Sequence, residues 1–129
     1  MMPTLKNSMT RHPHSIRLDE NVATARKLME SLHVRHLPVL RAGEIVGVIS
    51  DRDLKIVGKD SSRMTIEDLC VDDPVTFDVE TNLFVVASLM AERRVGSVLV
   101  TESGKLAGIF TTTDACRVLA GVLHPSIQR

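Results

Sequence analysis

Shifted against itself by 61 residues, the sequence aligns Pro13–Val57 with Pro74–Val118 without a gap, and ten of the 45 positions are identical. The identities are Pro13/Pro74, Asn21/Asn82, Leu28/Leu89, Met29/Met90, Val34/Val95, Val39/Val100, Gly43/Gly104, Gly47/Gly108, Asp53/Asp114 and Val57/Val118. Others exchange like for like, among them Ser15/Thr76, Asp19/Glu80, Ile45/Leu106, Val48/Ile109 and Ser50/Thr111. Turn glycines, helix caps and core positions recur together, so one supersecondary unit occurs twice.

Each copy reads in the same order. After the proline comes a short extended piece, Ser15 to Leu18 or Val75 to Val79. Asn21 and Asn82 then stand where a helix N-cap belongs, because an Asn side chain accepts a bond from an amide that has no partner inside the helix. Val22, Ala25, Leu28, Met29 and Leu32 follow at helical spacing, and Leu83, Val86 and Met90 repeat the stripe. A strand (His36 to Leu40, or Ser97 to Thr101), a turn at Gly43 or Gly104, and a second strand (Ile45 to Ser50, or Leu106 to Thr111) form a hairpin. A closing helix ends each copy, the second at about His124 before Pro125. The fold class is therefore α/β (α+β), two pseudo-symmetric units, each strand-helix-strand-strand-helix. The expected organisation is a frayed tail over 1–8, a first unit over 9–58, a polar linker with a short helix over 59–69, a second unit over 70–122, and a tail over 123–129.

The junction between the second strand and the closing helix concentrates the chemistry. It reads Gly47-Val48-Ile49-Ser50-Asp51-Arg52-Asp53 in the first copy and Gly108-Ile109-Phe110-Thr111-Thr112-Thr113-Asp114 in the second. A hydroxyl residue three positions before a carboxylate is the signature of a capping box, in which each side chain accepts from the other residue's amide. Such a cap stabilises a helix by ~1 kcal/mol. The same groups can also serve a ligand. A hydroxyl beside a helix N-terminus suits a phosphate, and a carboxylate can accept from both hydroxyls of a ribose. In the first copy, Arg35-His36 at the start of the strand and Arg52 inside the motif suit a phosphate, or else lie solvated on the surface. The second copy has Gly96-Ser97 and Thr113 there, so phosphate recognition is expected of the first.

Composition removes several function classes. Sixteen basic and sixteen acidic residues balance, with no Trp, no Tyr and three Phe, so neither a field for nucleic acid nor a base-stacking platform is provided. Neither an apolar leader nor a run long enough to span a bilayer is present, and Phe84 to Ala91 is too short; the expectation is a soluble, cytoplasmic protein with no membrane partner. Cys70 and Cys116, 46 residues apart, read as buried free thiols. His12, His14, His33, His36 and His124 show no metal-ligand spacing, and no GxSxG orients a nucleophile, so neither a metal site nor catalysis is expected.

The duplicated unit, "RHLPV" at Arg35 to Val39 and "GVISDRDL" at Gly47 to Leu54 resemble a tandem pair of CBS domains, a Bateman module, over about residues 9 to 122. The resemblance implies two units packed through their small sheets, clefts between them that bind AMP, ADP, ATP or S-adenosylmethionine, and a homodimer forming a four-unit disc. It implies no enzyme activity and no required cofactor, the adenine nucleotide being a regulatory ligand. Since the module makes up nearly the whole chain, its output is expected to act on a separate enzyme or transporter. The alternatives are a ligand-independent interaction module or an S-adenosylmethionine or NAD binder. Carried onto this sequence, the ligand-facing set is Ser50, Arg52, Asp53, Arg35, His36, Ile16 and Pro38 from the first copy, with Thr111, Thr113, Asp114, Val75, Thr76 and Phe77 from the second. Ile16, Val75, Phe77, Leu37, Pro38 and Val98 are the apolar candidates for holding an adenine.

Overall fold

A computed structural model of the chain describes residues 2–58, 63–69 and 73–125. The elements run β1 (Thr10–Arg11), β2 (Ile16–Arg17), α1 (Val22–Leu32), β3 (His36–Arg41), β4 (Glu44–Ser50), α2 (Asp51–Val57), β5 (Thr76–Asp78), α3 (Leu83–Arg93), β6 (Ser97–Glu102), β7 (Lys105–Thr111) and α4 (Thr112–Leu123), with 3-10 turns at Leu5–Asn7 and Ile66–Leu69. The mixed α/β class and the repeated order of elements are as the sequence indicates. Linker residues 59–62, Cys70 and tail residues 126–129 lie outside the described residues.

The chain divides into two compact units, one of them Pro13–Pro74. Its sheet has the order β2-β3-β4, with β2 parallel to β3 and β3 antiparallel to β4. Asn21 caps α1 by accepting from the Thr24 amide at 2.9 Å. Ile16, Val22, Ala25, Met29, Leu37, Val39, Ile49 and Leu54 form the core, as their spacing demands. Ile66 joins them with no exposed surface. The Ile66 amide donates to the Glu20 carbonyl at 2.8 Å, and the Val22 amide donates to the Met64 carbonyl at 2.8 Å. The 3-10 turn after the linker thus completes the first unit's core instead of merely leading into the second.

The other unit combines Met1–His12 with the chain from Val75 onward. Its sheet has the order β1-β7-β6-β5, so the N-terminal strand pairs with the last strand of the second repeat. Residues 3–8, part of the tail expected to fray, are instead docked. The amides of Leu5 and Lys6 donate to the carbonyls of Thr81 and Val79, both at 3.0 Å, and the Leu83 amide donates to the Pro3 carbonyl at 2.9 Å. Leu5 is fully buried and Met9 nearly so, in a core with Val79, Leu83, Val86, Met90, Val98, Val100 and Phe110. Burying two apolar side chains and satisfying backbone amides outweighs the entropy that would let a polar terminus fray. Gly108 permits this approach: a Cβ there would lie 2.5 Å from the Met9 sulfur and 2.8 Å from the Thr10 carbonyl oxygen.

Both hairpins turn on two residues in the left-handed region, Ala42-Gly43 (φ +50°, +81°) and Ser103-Gly104 (φ +52°, +79°). That pattern defines a type I′ turn, whose twist matches that of its strands. Cys116 is exposed on α4, contrary to the buried thiol expected. It lies between Ala115 and Arg117, one position off the face that Ala115 and Val118 turn to the core. Among the described residues, no helix is long and apolar enough to cross a membrane.

Candidate functional site

Each junction is assembled by the hairpin that precedes it. Antiparallel pairing sets His36 opposite Ser50 and Ser97 opposite Thr111. The residue before each strand then accepts from the first helical amide: Asp51 N–H donates to the Arg35 carbonyl at 2.9 Å, and Thr112 N–H donates to the Gly96 carbonyl at 3.1 Å. The first junction therefore gathers Arg35, His36, Ser50, Asp51, Arg52 and Asp53 at one end of its sheet, and the second gathers Gly96, Ser97, Thr111, Thr113 and Asp114.

Both motifs close as capping boxes. In the first, the Asp53 amide donates to Ser50 Oγ at 3.2 Å and the Ser50 amide donates to Asp53 Oδ2 at 2.9 Å. That leaves Asp53 Oδ1, on an exposed side chain, with no hydrogen-bond donor among the described residues. Arg35 and Arg52 are also exposed and have no ion-pair partner among the described residues. Asp51 is engaged by Lys55 one turn along, at 3.6 Å. His36 is half-buried, and burial lowers its pKa below the ordinary 6.5. The neighbouring carboxylates Asp51 and Asp53 act the other way, and Arg35 adds to the lowering. The imidazole is thus held towards its neutral form.

The second junction has the same backbone and a different side-chain state. Asp114 is 3% exposed. Its Oδ2 accepts from the Thr111 amide at 2.9 Å and from Thr111 Oγ1 at 3.1 Å. Its Oδ1 accepts from Thr10 Oγ1 at 3.0 Å and from Arg117 Nη1 at 2.7 Å. Neither donor to Oδ1 was anticipated from sequence. Arg117 was detectable, since a cation three residues along a helix faces a carboxylate. Thr10, 104 residues away, gave no local signal.

The apolar candidates divide. Ile16, Leu37 and Val98 are each 1% exposed, Ile16 and Leu37 packed in the first unit's core and Val98 in the second's, so as they stand they offer no open wall to a ligand. Pro38 is buried on β3 opposite Val48. Val75 and Phe77 are half-buried against the second unit's core, and Thr76 is exposed between them. Thr113 is exposed in the first turn of α4. Among the described residues, no group of three or more His, Cys, Asp or Glu is arranged to hold a metal.

Residues 5–58 and 66–121 each match the CBS domain, and the chain belongs to that family, carrying two copies in tandem. It is 30% identical over 105 residues to the inosine-5′-monophosphate dehydrogenase of Thermoplasma acidophilum, a match covering 81% of this chain and 21% of the dehydrogenase. The chain therefore spans about a fifth of that relative's length. Among solved structures, it superposes with a TM-score of 0.88 on the Vibrio cholerae protein AcuB, assigned to acetoin utilization, at 27% identity and 98% coverage of both chains. It superposes with a TM-score of 0.79 on CBSX2 in complex with AMP, at 27% identity, covering 94% of this chain and 98% of that one.

Proposed function

We propose that this CBS pair is a regulatory module whose first-repeat junction binds an adenosine-containing nucleotide of the AMP, ADP or ATP type. The observation that carries the reading is Asp53: its carboxylate is fixed by the capping box through one oxygen and presents the other to solvent. A ribose diol supplies two donors where that oxygen has none among the described residues. The Ser50 hydroxyl lies alongside, and the guanidiniums of Arg35 and Arg52, which have no ion-pair partner among the described residues, suit a phosphate through charge-assisted bonds. A neutral His36 adds a donor or acceptor without desolvating another charge. The AMP complex of CBSX2 supports the choice of ligand class.

Nucleotide occupancy would alter how the module associates with a separate enzyme or transporter in the cytosol, as an energy-sensing signal. Exposed apolar side chains on α3 (Phe84, Val85) and α4 (Leu119, Val122, Leu123) favour pairing with a second copy, as in a disc of four CBS units. They also favour the second reading, a ligand-independent interaction module. A thermal-shift panel of AMP, ADP, ATP, S-adenosylmethionine and NAD separates the two. A ligand at one hundred times its Kd stabilises by about 2.7 kcal/mol. A shift with an adenine nucleotide that Asp53→Ala abolishes is the expected result. No shift with any of the five would leave the interaction module standing in its place.

A further inference from the structure

The two junctions align position for position, yet one carboxylate is open and the other is closed. The residue three positions after Asp114 is Arg117, whose guanidinium donates to Oδ1 at 2.7 Å. The residue three positions after Asp53 is Ile56, an exposed side chain with no donor to offer. Thr10 supplies the second donor to Asp114 Oδ1, at 3.0 Å, from the strand β1 that pairs Thr10 with Ile109 and Arg11 with Gly108 on β7. Thr10 and Arg117 thus give Asp114 Oδ1 the two donors that a ribose diol would give Asp53.

We propose that the second-repeat junction is latched by the chain itself: Asp114 anchors the N-terminal strand through Thr10, with Arg117 completing the site, and a diol ligand and the docked strand compete for that carboxylate. One ligand per chain, at the first repeat, is the consequence. The latch stands on the contacts of Asp114 alone; its ligand half rests on the proposed nucleotide function. The geometry makes the competition direct. A diol can reach Oδ1 only after both donors leave, and the departure of Thr10 removes the one side-chain bond that ties β1 to α4 among the described residues. A ligand that did enter would loosen the strand, and by linkage a loosened strand would admit the ligand.

Hydrogen exchange and calorimetry test the two halves separately, on the full chain. Thr10→Val keeps a β-branched residue on an exposed strand position and deletes the donor, while Arg117→Ala removes an exposed side chain. Thr10→Val is expected to raise amide exchange across residues 10–12 by about tenfold or more, the effect of losing a hydrogen bond to a charged group, whereas Asp53→Ala leaves that exchange unchanged. Unaltered exchange in Thr10→Val would overturn the latch whatever the chain binds. In calorimetry with AMP, the native chain is expected to take up one nucleotide and the Thr10→Val/Arg117→Ala double variant two. Uptake of two by the native chain, or of one by a double variant whose strand has loosened, would overturn the competition. If the native chain takes up no AMP, the nucleotide function falls, and the exchange result alone decides the latch.

Discussion

Leu5→Ala tests whether the N-terminal segment is part of the second unit's core. Leu5 has no exposed surface and packs with Met9, Leu83, Val86 and Phe110, while its neighbouring backbone is held by three hydrogen bonds to residues 79–83. Truncating a buried leucine to alanine costs the transfer energy of the lost methyl groups plus the cavity they leave, about 2–5 kcal/mol in all. A residue in a frayed tail would cost within about 0.5 kcal/mol. With a urea slope of about 1–3 kcal/mol per molar, a loss near 3 kcal/mol moves the midpoint down by about 1–3 M. The chain has neither Trp nor Tyr, so far-UV circular dichroism is the appropriate probe. If the two units unfold in separate steps, only the second unit's step should move. A midpoint unchanged within error would refute the docking of residues 2–12 as a stabilising contact.

Other substitutions probe single features. Gly108→Ala places a Cβ 2.8 Å from the Thr10 carbonyl oxygen, so β1 must shift; a loss of about 1–3 kcal/mol is expected in denaturant unfolding, and a neutral result would mean that the close approach is absent in solution. Ala42 holds φ +50° in a type I′ turn, a conformation that costs a non-glycine residue about 1–2 kcal/mol and that Asn tolerates better. Ala42→Asn should therefore raise the Tm, and a fall would contradict the turn assignment. His36 has a folded pKa below 6.5, so below that pH the unfolded chain takes up the proton more readily. Stability is accordingly lost as pH falls from 6.5 through the folded value, and His36→Gln should flatten that part of the profile. An unchanged slope in the variant would remove His36 as its source.

The sequence was most readable where structure is local. Asn21 and Asn82 cap their helices, Gly43 and Gly104 turn their hairpins, and Ser50/Asp53 and Thr111/Asp114 close their boxes, all through partners within four residues. The core faces of α1 and α3 followed from spacing for the same reason. What stayed hidden depends on contacts distant in sequence. Leu5 and Met9 lie in a segment too short to show a period, and their burial depends on a sheet edge formed a hundred residues later. Ile66 sat in a stretch read as linker, because four residues of 3-10 turn carry no helical stripe. The contrast between Asp53 and Asp114 was invisible in the motif itself, since the determining residues, Thr10, Arg117 and Ile56, all lie outside it.

The most direct measurement is isothermal calorimetry of AMP against the native chain and Asp53→Ala. The proposed function requires that removing the open carboxylate of the first junction abolish the uptake, while circular dichroism shows the variant folded. Loss of the capping box should cost the variant only ~1 kcal/mol of stability. Native chain that binds AMP and a folded Asp53→Ala chain that does not is the predicted result. Equal binding by both would contradict the assignment of Asp53 as the ribose acceptor and, with it, the first-repeat site.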